Sequence, residues 1–155
     1  MADQYMLVID VGATNVRAIA VDERGSIRAS SSVRNTVKVL KGNLKIWDVD
    51  ELWQKIRTCV RQTVSQVKSK SISGIVVSTF GADGSFFDKS GKMLYPVISW
   101  QCDRTKKTMD EIGNVIPMDK LYSITGQQSM PFNTFYRFLW MKENQASVLA
   151  KADKF

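Results

Sequence analysis

Apolar and polar residues alternate along this chain in stretches that change period several times. The apolar run Tyr5 to Ile9 predicts a buried strand, and Val16 to Asp22 ("VRAIAVD") predicts a second. A turn at Glu23 to Ser26 leads to Ile27–Val39, a long alternating stretch rich in Ser, Thr and Val that reads as an edge strand. The period then becomes helical. Asp48, with Glu51 three residues on, makes a capping-box-like start, and Leu52, Ile56, Val60, Val64 and Val67 fall on one face. Ser69 to Ser71 should break that helix. Ile72 to Thr79 ("ISGIVVST") is apolar enough for another buried strand.

If this strand returns parallel to the first through the intervening helix, the carboxyl ends of the two strands share one edge of the sheet. Open α/β sheets bind ligands at that edge. The segments expected there are "GATN" after the first strand and "FGADG" after the later one. Farther on, Phe86 to Leu94 carries a strand-turn-strand signal around Asp88 to Lys92, and Tyr95 to Thr105 leads the chain back out. Short helices are expected over Lys106–Ile112 and Asp119–Ser123, and a longer one over "NTFYRFLWMKEN", capped by Asn133. Phe132, Phe135, Phe138 and Trp140 are expected in the core. No repeat, low-complexity linker or domain boundary stands out, and "SVLAKADKF" shows no closing turn.

The composition is that of a globular protein: of 155 residues, 44% are hydrophobic and 24% charged. No apolar run approaches the roughly 18 residues of a membrane span, and Met1 to Gln4 lacks the basic start of a leader, so a cytoplasmic protein is expected. Histidine is absent, which excludes Ser-His-Asp and Cys-His nucleophile systems and His-based metal sites. Acid-base work then falls to carboxylates. Cys59 and Cys102 have no metal-site spacing; Cys59 lies on the helical face as a buried thiol, whereas Cys102 has basic neighbours. The net charge of +7 suits a phosphate or nucleic-acid partner, but the basic residues are scattered and form no basic face.

Candidate chemistry begins at "DVGATNVR" (Asp10–Arg17). Gly12 lets the backbone approach an anion, and consecutive N–H groups of a tight turn form an anion nest. Thr14 and Asn15 add donors, Arg17 adds charge, and Asp10 could hold magnesium or its water. Taken alone, the same residues also suit a decorated hairpin. The turn is not a Walker A loop. In "STFGADG", Gly81 and Gly84 are expected to permit unusual backbone angles, and Asp83 to offer oxygens to paired hydroxyls; an ordinary Asp-Gly turn is the plainer alternative. Trp100, with Asp103 and Arg104, supplies a ring and an ion pair; a core tryptophan with a surface pair is the plainer alternative.

Together, "DVGATNVRAIAVDERG", "TFGADGSFFDKSGKMLYPVISWQCDRT", "SITG" and "FNTFYRFLWMKEN" resemble, in order and spacing, the N-terminal part of the FGGY family of carbohydrate kinases. Within that family the likeness is greatest to members acting on L-fuculose, then L-rhamnulose. The resemblance implies an α/β fold, an actin-like, ribonuclease-H-like mixed sheet with flanking helices, and transfer of the ATP γ-phosphoryl to a ketose hydroxyl with Mg2+. It places Gly12, Ala13, Thr14, Asn15, Val16 and Arg17 along the nucleotide phosphates and Asp10 beside the metal. Gly81 and Asp83 would line the sugar site, with Trp100 and Arg104 as weaker candidates. Many relatives have Gly-Thr-Thr where this chain has Gly12, Ala13 and Thr14, which removes one hydroxyl. The resemblance further implies that residues 1–155 are an incomplete N-terminal, sugar-binding domain. The general base and the nucleotide-clamping C-terminal domain would lie elsewhere, leaving this stretch inactive alone.

Two other classes compete. Small resolvase-like nucleases share the fold and an Asp-x-Gly strand end, but two-metal cleavage needs carboxylates converging within about 4 Å of a metal pair. Here the later strand ends Ser78, Thr79, Phe80, Gly81, with no acid before Asp83. A non-catalytic sugar- or phosphate-binding fragment is the other. The expected partners are a ketose and ATP, with no nucleic acid and no membrane; homo-oligomerisation is left open.

Overall fold

A computed structural model describes residues 4–67 and 71–155. The chain forms two compact units, which the sequence pattern did not separate. The first comprises residues up to Val37 together with Asp48–Gly81; the second comprises Lys38–Trp47 and Ala82–Phe155.

The first unit is a four-stranded mixed sheet with one long helix. Strands β1 (Tyr5–Val11), β2 (Asn15–Asp22) and β3 (Ile27–Arg34) run antiparallel, and β6 (Ile72–Ser78) joins β1 in parallel, giving the order β3-β2-β1-β6. This is the mixed sheet with a flanking helix that the resemblance implies. Asp10 pairs in register with Ser78, so the carboxyl ends of β1 and β6 do share one edge. Helix α1 (Val49–Val64) begins as expected, with Asp48 Oδ1 accepting from the Glu51 N–H at 3.1 Å. Its Leu52, Ile56, Val60 and Val64 pack on a core of Leu7, Val11, Val16, Ala18 and Cys59. Ala18 and Ala20 are fully buried, and side chains this small let the helix lie close to β2. Thr63 Oγ1 donates to the Ala18 carbonyl at 2.9 Å, and Cys59 Sγ meets that of Val16 at 3.3 Å. Cys59 is thus the buried thiol the pattern suggested.

Three expectations change. The run Ile27–Val39 is not one strand: β3 stops at Arg34, because Asn35 turns its backbone and side chain to the β1–β2 loop, and β4 (Lys38–Leu40) belongs to the second unit. Helix α1 ends at Val64, so Val67 lies beyond its apolar face; of the expected break, Ser69 and Lys70 fall outside the described residues. β6 is not a buried strand. It is an edge of the sheet, and Ile75, Val76 and Val77 are exposed.

The second unit pairs β4 with β5 (Leu44–Trp47) and β5 with the two-residue β7 (Val97–Ile98), all antiparallel. The expected strands around Asp88 reduce to a single bridge, Phe87 to Met93. Asp88 Oδ1 instead accepts from Ser90 and Lys92 and closes a turn that needs Gly91 at φ 83°. Helices follow at α2 (Lys106–Glu111), α3 (Met118–Thr125, ended by left-handed Gly126), α4 (Thr134–Asn144) and α5 (Ala146–Leu149). Phe86, Ile98, Cys102 and Met141 form the core. Of the expected core aromatic residues on α4, Trp140 packs against this core and Phe138 meets Phe86 edge-on at 5.0 Å between centroids. Tyr136, Arg137 and Met141 are buried, while Phe135 and Phe138 are exposed. Asn133 stands at the N-cap, yet its side chain makes no cap hydrogen bond and donates instead to the Gln128 carbonyl at 2.9 Å.

Candidate functional site

The turn between β1 and β2 is built to keep its shape. The Gly12 N–H donates to the Asn15 carbonyl at 2.9 Å, closing the turn, and a Cβ at Gly12 would come within 3.1 Å of that oxygen. Asn35, 3% exposed, grips the turn twice: its N–H donates to the Thr14 carbonyl at 2.7 Å and its Nδ2 to the Gly12 carbonyl at 2.8 Å. Lys55 Nζ from α1 donates to Asn35 Oδ1 at 3.1 Å and pairs with Glu51 Oε1 at 2.5 Å. These contacts occupy carbonyls. The N–H groups of Ala13 and Thr14 meet no protein acceptor among the described residues. A turn with its carbonyls tied inward and its N–H groups free is suited to an anion.

Asp10 and Arg17 stand directly opposite in the β1–β2 register, with Nη1 and Oδ2 3.5 Å apart and both side chains open to solvent. An exposed pair at this distance adds little stability, so both groups stay available to a ligand. Val16 is different. Its side chain is fully buried in the core, leaving only its backbone to face a nucleotide. No cluster of three or more metal-ligating side chains occurs among the described residues. Magnesium needs none, because it is commonly held by one or two carboxylates, waters and the substrate's phosphates. Asp10, beside a turn with free N–H groups, fits that donor set.

In the second unit the expected residues lie less openly. The Asp83 side chain is only 2% exposed, and both its oxygens are taken. Oδ1 accepts from Arg137 Nη2 at 2.8 Å and Oδ2 from Trp47 Nε1 at 2.5 Å. The second arm of the same guanidinium, Nη1, donates to the Ala82 carbonyl at 2.5 Å. Asp83 therefore turns inward instead of offering oxygens to a ligand. The glycines act differently from expectation too. Neither Gly81 nor Gly84 has positive φ. Gly81 has open space where a Cβ would stand, whereas one at Gly84 would strike the Phe155 ring at 2.7 Å.

Trp100 is 43% exposed, its ring edge-on to Phe132 at 6.3 Å between centroids, so it is not a core tryptophan. Arg104 makes no pair with Asp103. Its Nε donates to Cys102 Sγ at 3.1 Å and its Nη1 to Tyr95 Oη at 3.0 Å, and the guanidinium lies 5.0 Å from the Trp140 ring. Two arms are thus held by the core, while Nη2 is buried and meets no acceptor among the described residues. Burial pushes the Cys102 thiol up, but hydrogen bonds from Arg104 and from the Lys45 N–H, with the Arg104 charge, outweigh it and leave the thiol below its ordinary value.

Asn35, Lys55, Trp47 and Arg137 were not singled out from sequence. Arg137 had a signal: an arginine amid the aromatic residues of α4, one position from the buried Tyr136.

A family model, the N-terminal domain of the FGGY family of carbohydrate kinases, matches residues 5–155. The chain is similar to L-fuculokinase of Escherichia coli K12, 42% identical over 98% of this chain and 33% of that protein. L-fuculokinase of Haemophilus influenzae is 40% identical over 96% and 33%, and rhamnulokinase of Yersinia pestis (strain Pestoides F) 29% over 94% and 30%. The chain thus spans about a third of the length of these curated relatives. Among solved structures, gluconate kinase of Lactobacillus acidophilus superposes with a TM-score of 0.89 at 21% identity, covering 99% of this chain and 31% of that one. The ligand-bound xylulose kinase of that organism gives 0.88 at 21%, covering 97% and 31%. No helix among the described residues is long and apolar enough to cross a membrane.

Proposed function

We infer the reaction from a family membership: this chain belongs to the FGGY family of carbohydrate kinases. It is part of a phosphotransferase that acts on a sugar. Our proposal is that the whole protein transfers the γ-phosphoryl group of ATP to the C1 hydroxyl of L-fuculose. The higher identity to proteins named L-fuculokinase, 42% and 40% against 29% for one named rhamnulokinase, supports L-fuculose over L-rhamnulose.

The observation that carries the phosphate half is the braced turn at Gly12–Asn15. Phosphoryl transfer asks a protein chiefly to position phosphates and neutralise developing charge. The free N–H groups of Ala13 and Thr14 and the Arg17 guanidinium would meet the phosphate oxygens, with Gly12 and Asn15 holding the turn's shape. Asp10 would hold Mg2+, which when bound draws electron density from the phosphate oxygens. The ketose half is assigned to the segment Gly81–Asp83 and to Trp100. The exposed indole suits the apolar face of a sugar, and the segment would approach through its backbone.

In the reaction, the ketose hydroxyl oxygen attacks the γ-phosphorus, its proton passes to a base, and ADP leaves with the bridging oxygen. Asp83 is committed to Arg137 and Trp47, so the base is assigned to another part of the whole protein. There we also place the nucleotide-clamping domain, with residues 1–155 forming part of the sugar-binding one.

The test is ADP release by the whole protein with MgATP and a panel of ketoses. Release that depends on L-fuculose supports the proposal. Release only with L-rhamnulose or another ketose overturns the sugar assignment, and no ketose-dependent release overturns the proposal altogether.

A further inference from the structure

We propose that Arg137 is a positioning residue for ketose binding, holding the Ala82–Asp83 segment in the conformation that meets the sugar without touching the sugar itself. The inference rests on the assignment of that segment to the ketose.

The geometry is specific. One planar guanidinium, 2% exposed, reaches two consecutive residues of one segment: the Ala82 carbonyl through Nη1 and the Asp83 carboxylate through Nη2. A fork of this kind fixes orientation as well as distance, which a single ammonium cannot do. The indole N–H of Trp47 on β5 takes the remaining carboxylate oxygen, so the carboxylate cannot rotate about its own bond. α4 and β5 thus hold the segment from two elements distant in sequence.

Stability alone accounts poorly for this arrangement. Burying an arginine and an aspartate costs solvation that their attraction barely offsets, and an apolar pair of similar volume often serves as well or better. What the ion pair adds is one defined backbone path. That matters where a segment must present its peptide groups to several sugar hydroxyls at once, since small misplacements are costly there.

The experiment uses the whole protein with Arg137→Lys and the apolar double variant Arg137→Met with Asp83→Leu. Hydrogen exchange at the Trp47 indole N–H, which donates to the clamped Asp83 carboxylate, reads the clamp directly, whatever sugar the enzyme takes. Arg137→Lys should speed exchange there about tenfold or more, as expected when hydrogen bonds to a charged group are lost. Steady-state kinetics on the ketose that the wild type accepts best reads the consequence. Both variants should raise the ketose KM about tenfold while the ATP KM stays within about twofold, and the double variant should do so with its melting temperature near that of the wild type. Unchanged exchange overturns the clamp. Faster exchange with an unchanged ketose KM, or with both KM values rising together, overturns the ketose role. A wild type that prefers another ketose overturns only the L-fuculose assignment and leaves this test intact.

Discussion

The side chain of Asn35 donates to the carbonyl of Gly12 across 2.8 Å, from 23 residues farther along the chain. Its own backbone N–H holds the Thr14 carbonyl, and Lys55 holds its Oδ1. One buried amide therefore carries the shape of the turn assigned to the nucleotide phosphates.

Asn35→Ala should loosen that turn. Removing the amide leaves the Gly12 carbonyl and the Lys55 ammonium without it, a loss of about 1–3 kcal/mol for buried polar groups stripped of a partner. In the whole protein the ATP KM should rise while the ketose KM holds. A change confined to the ketose KM would contradict the assignment of this turn to phosphate.

Much of the first unit was legible because its signals are local. The 3.6-residue spacing of Leu52, Ile56, Val60 and Val64 specified the face of α1, and Asp48 its start. The turn around Gly12 announced itself through a glycine and small polar residues between two strands. What the pattern hid depends on contacts distant in sequence. Nothing beside Asn35 shows that it ends β3 by reaching back to Gly12. The aromatic residues of α4 drew the eye to Phe135 and Phe138, which are exposed, when the buried face is Tyr136, Arg137 and Met141 with Trp140 beside it. Arg137 therefore went unnoticed, and Asp83 read as a ligand donor when its partners lie 36 positions earlier and 54 later.

Two surface carboxylates should shape the acid limb of stability. The Ser26 N–H bonded to Asp22 lowers its carboxyl below the usual range; partial desolvation opposes this, and Arg28 and the Arg24 N–H add to the lowering. Asp88 is lowered chiefly by the Ser90 hydroxyl, then the Lys92 N–H, against a smaller desolvation. A folded value below the unfolded one gives stability that is full above the ordinary carboxylate range and is lost as pH falls through the lowered value. Asp22→Asn combined with Asp88→Asn should flatten that part of a stability–pH curve. An unchanged acid slope would show that these turns are not held by their charges.

The two thiols should differ in reactivity. Cys102, in the core of the second unit, is 3% exposed and held below its ordinary value, whereas Cys59 is fully buried beneath α1. Thiolate is the attacking form. Timed alkylation of the native protein, with mass mapping of the peptides, should label Cys102 before Cys59, and both rapidly once urea unfolds the chain. Labelling of Cys59 first would contradict the packing of α1 on β2.

The most direct measurement of the central claim is a competition. Equal amounts of isotope-labelled L-fuculose and unlabelled L-rhamnulose are offered to the whole protein with limiting MgATP, and the phosphorylated product is weighed by mass spectrometry. The product ratio reads the ratio of kcat/KM values without separate kinetic constants. Labelled sugar phosphate is expected in excess by about tenfold or more, the factor that about 1.4 kcal/mol of transition-state discrimination confers. Equal labelling, an excess of unlabelled product, or no sugar phosphate at all would contradict it.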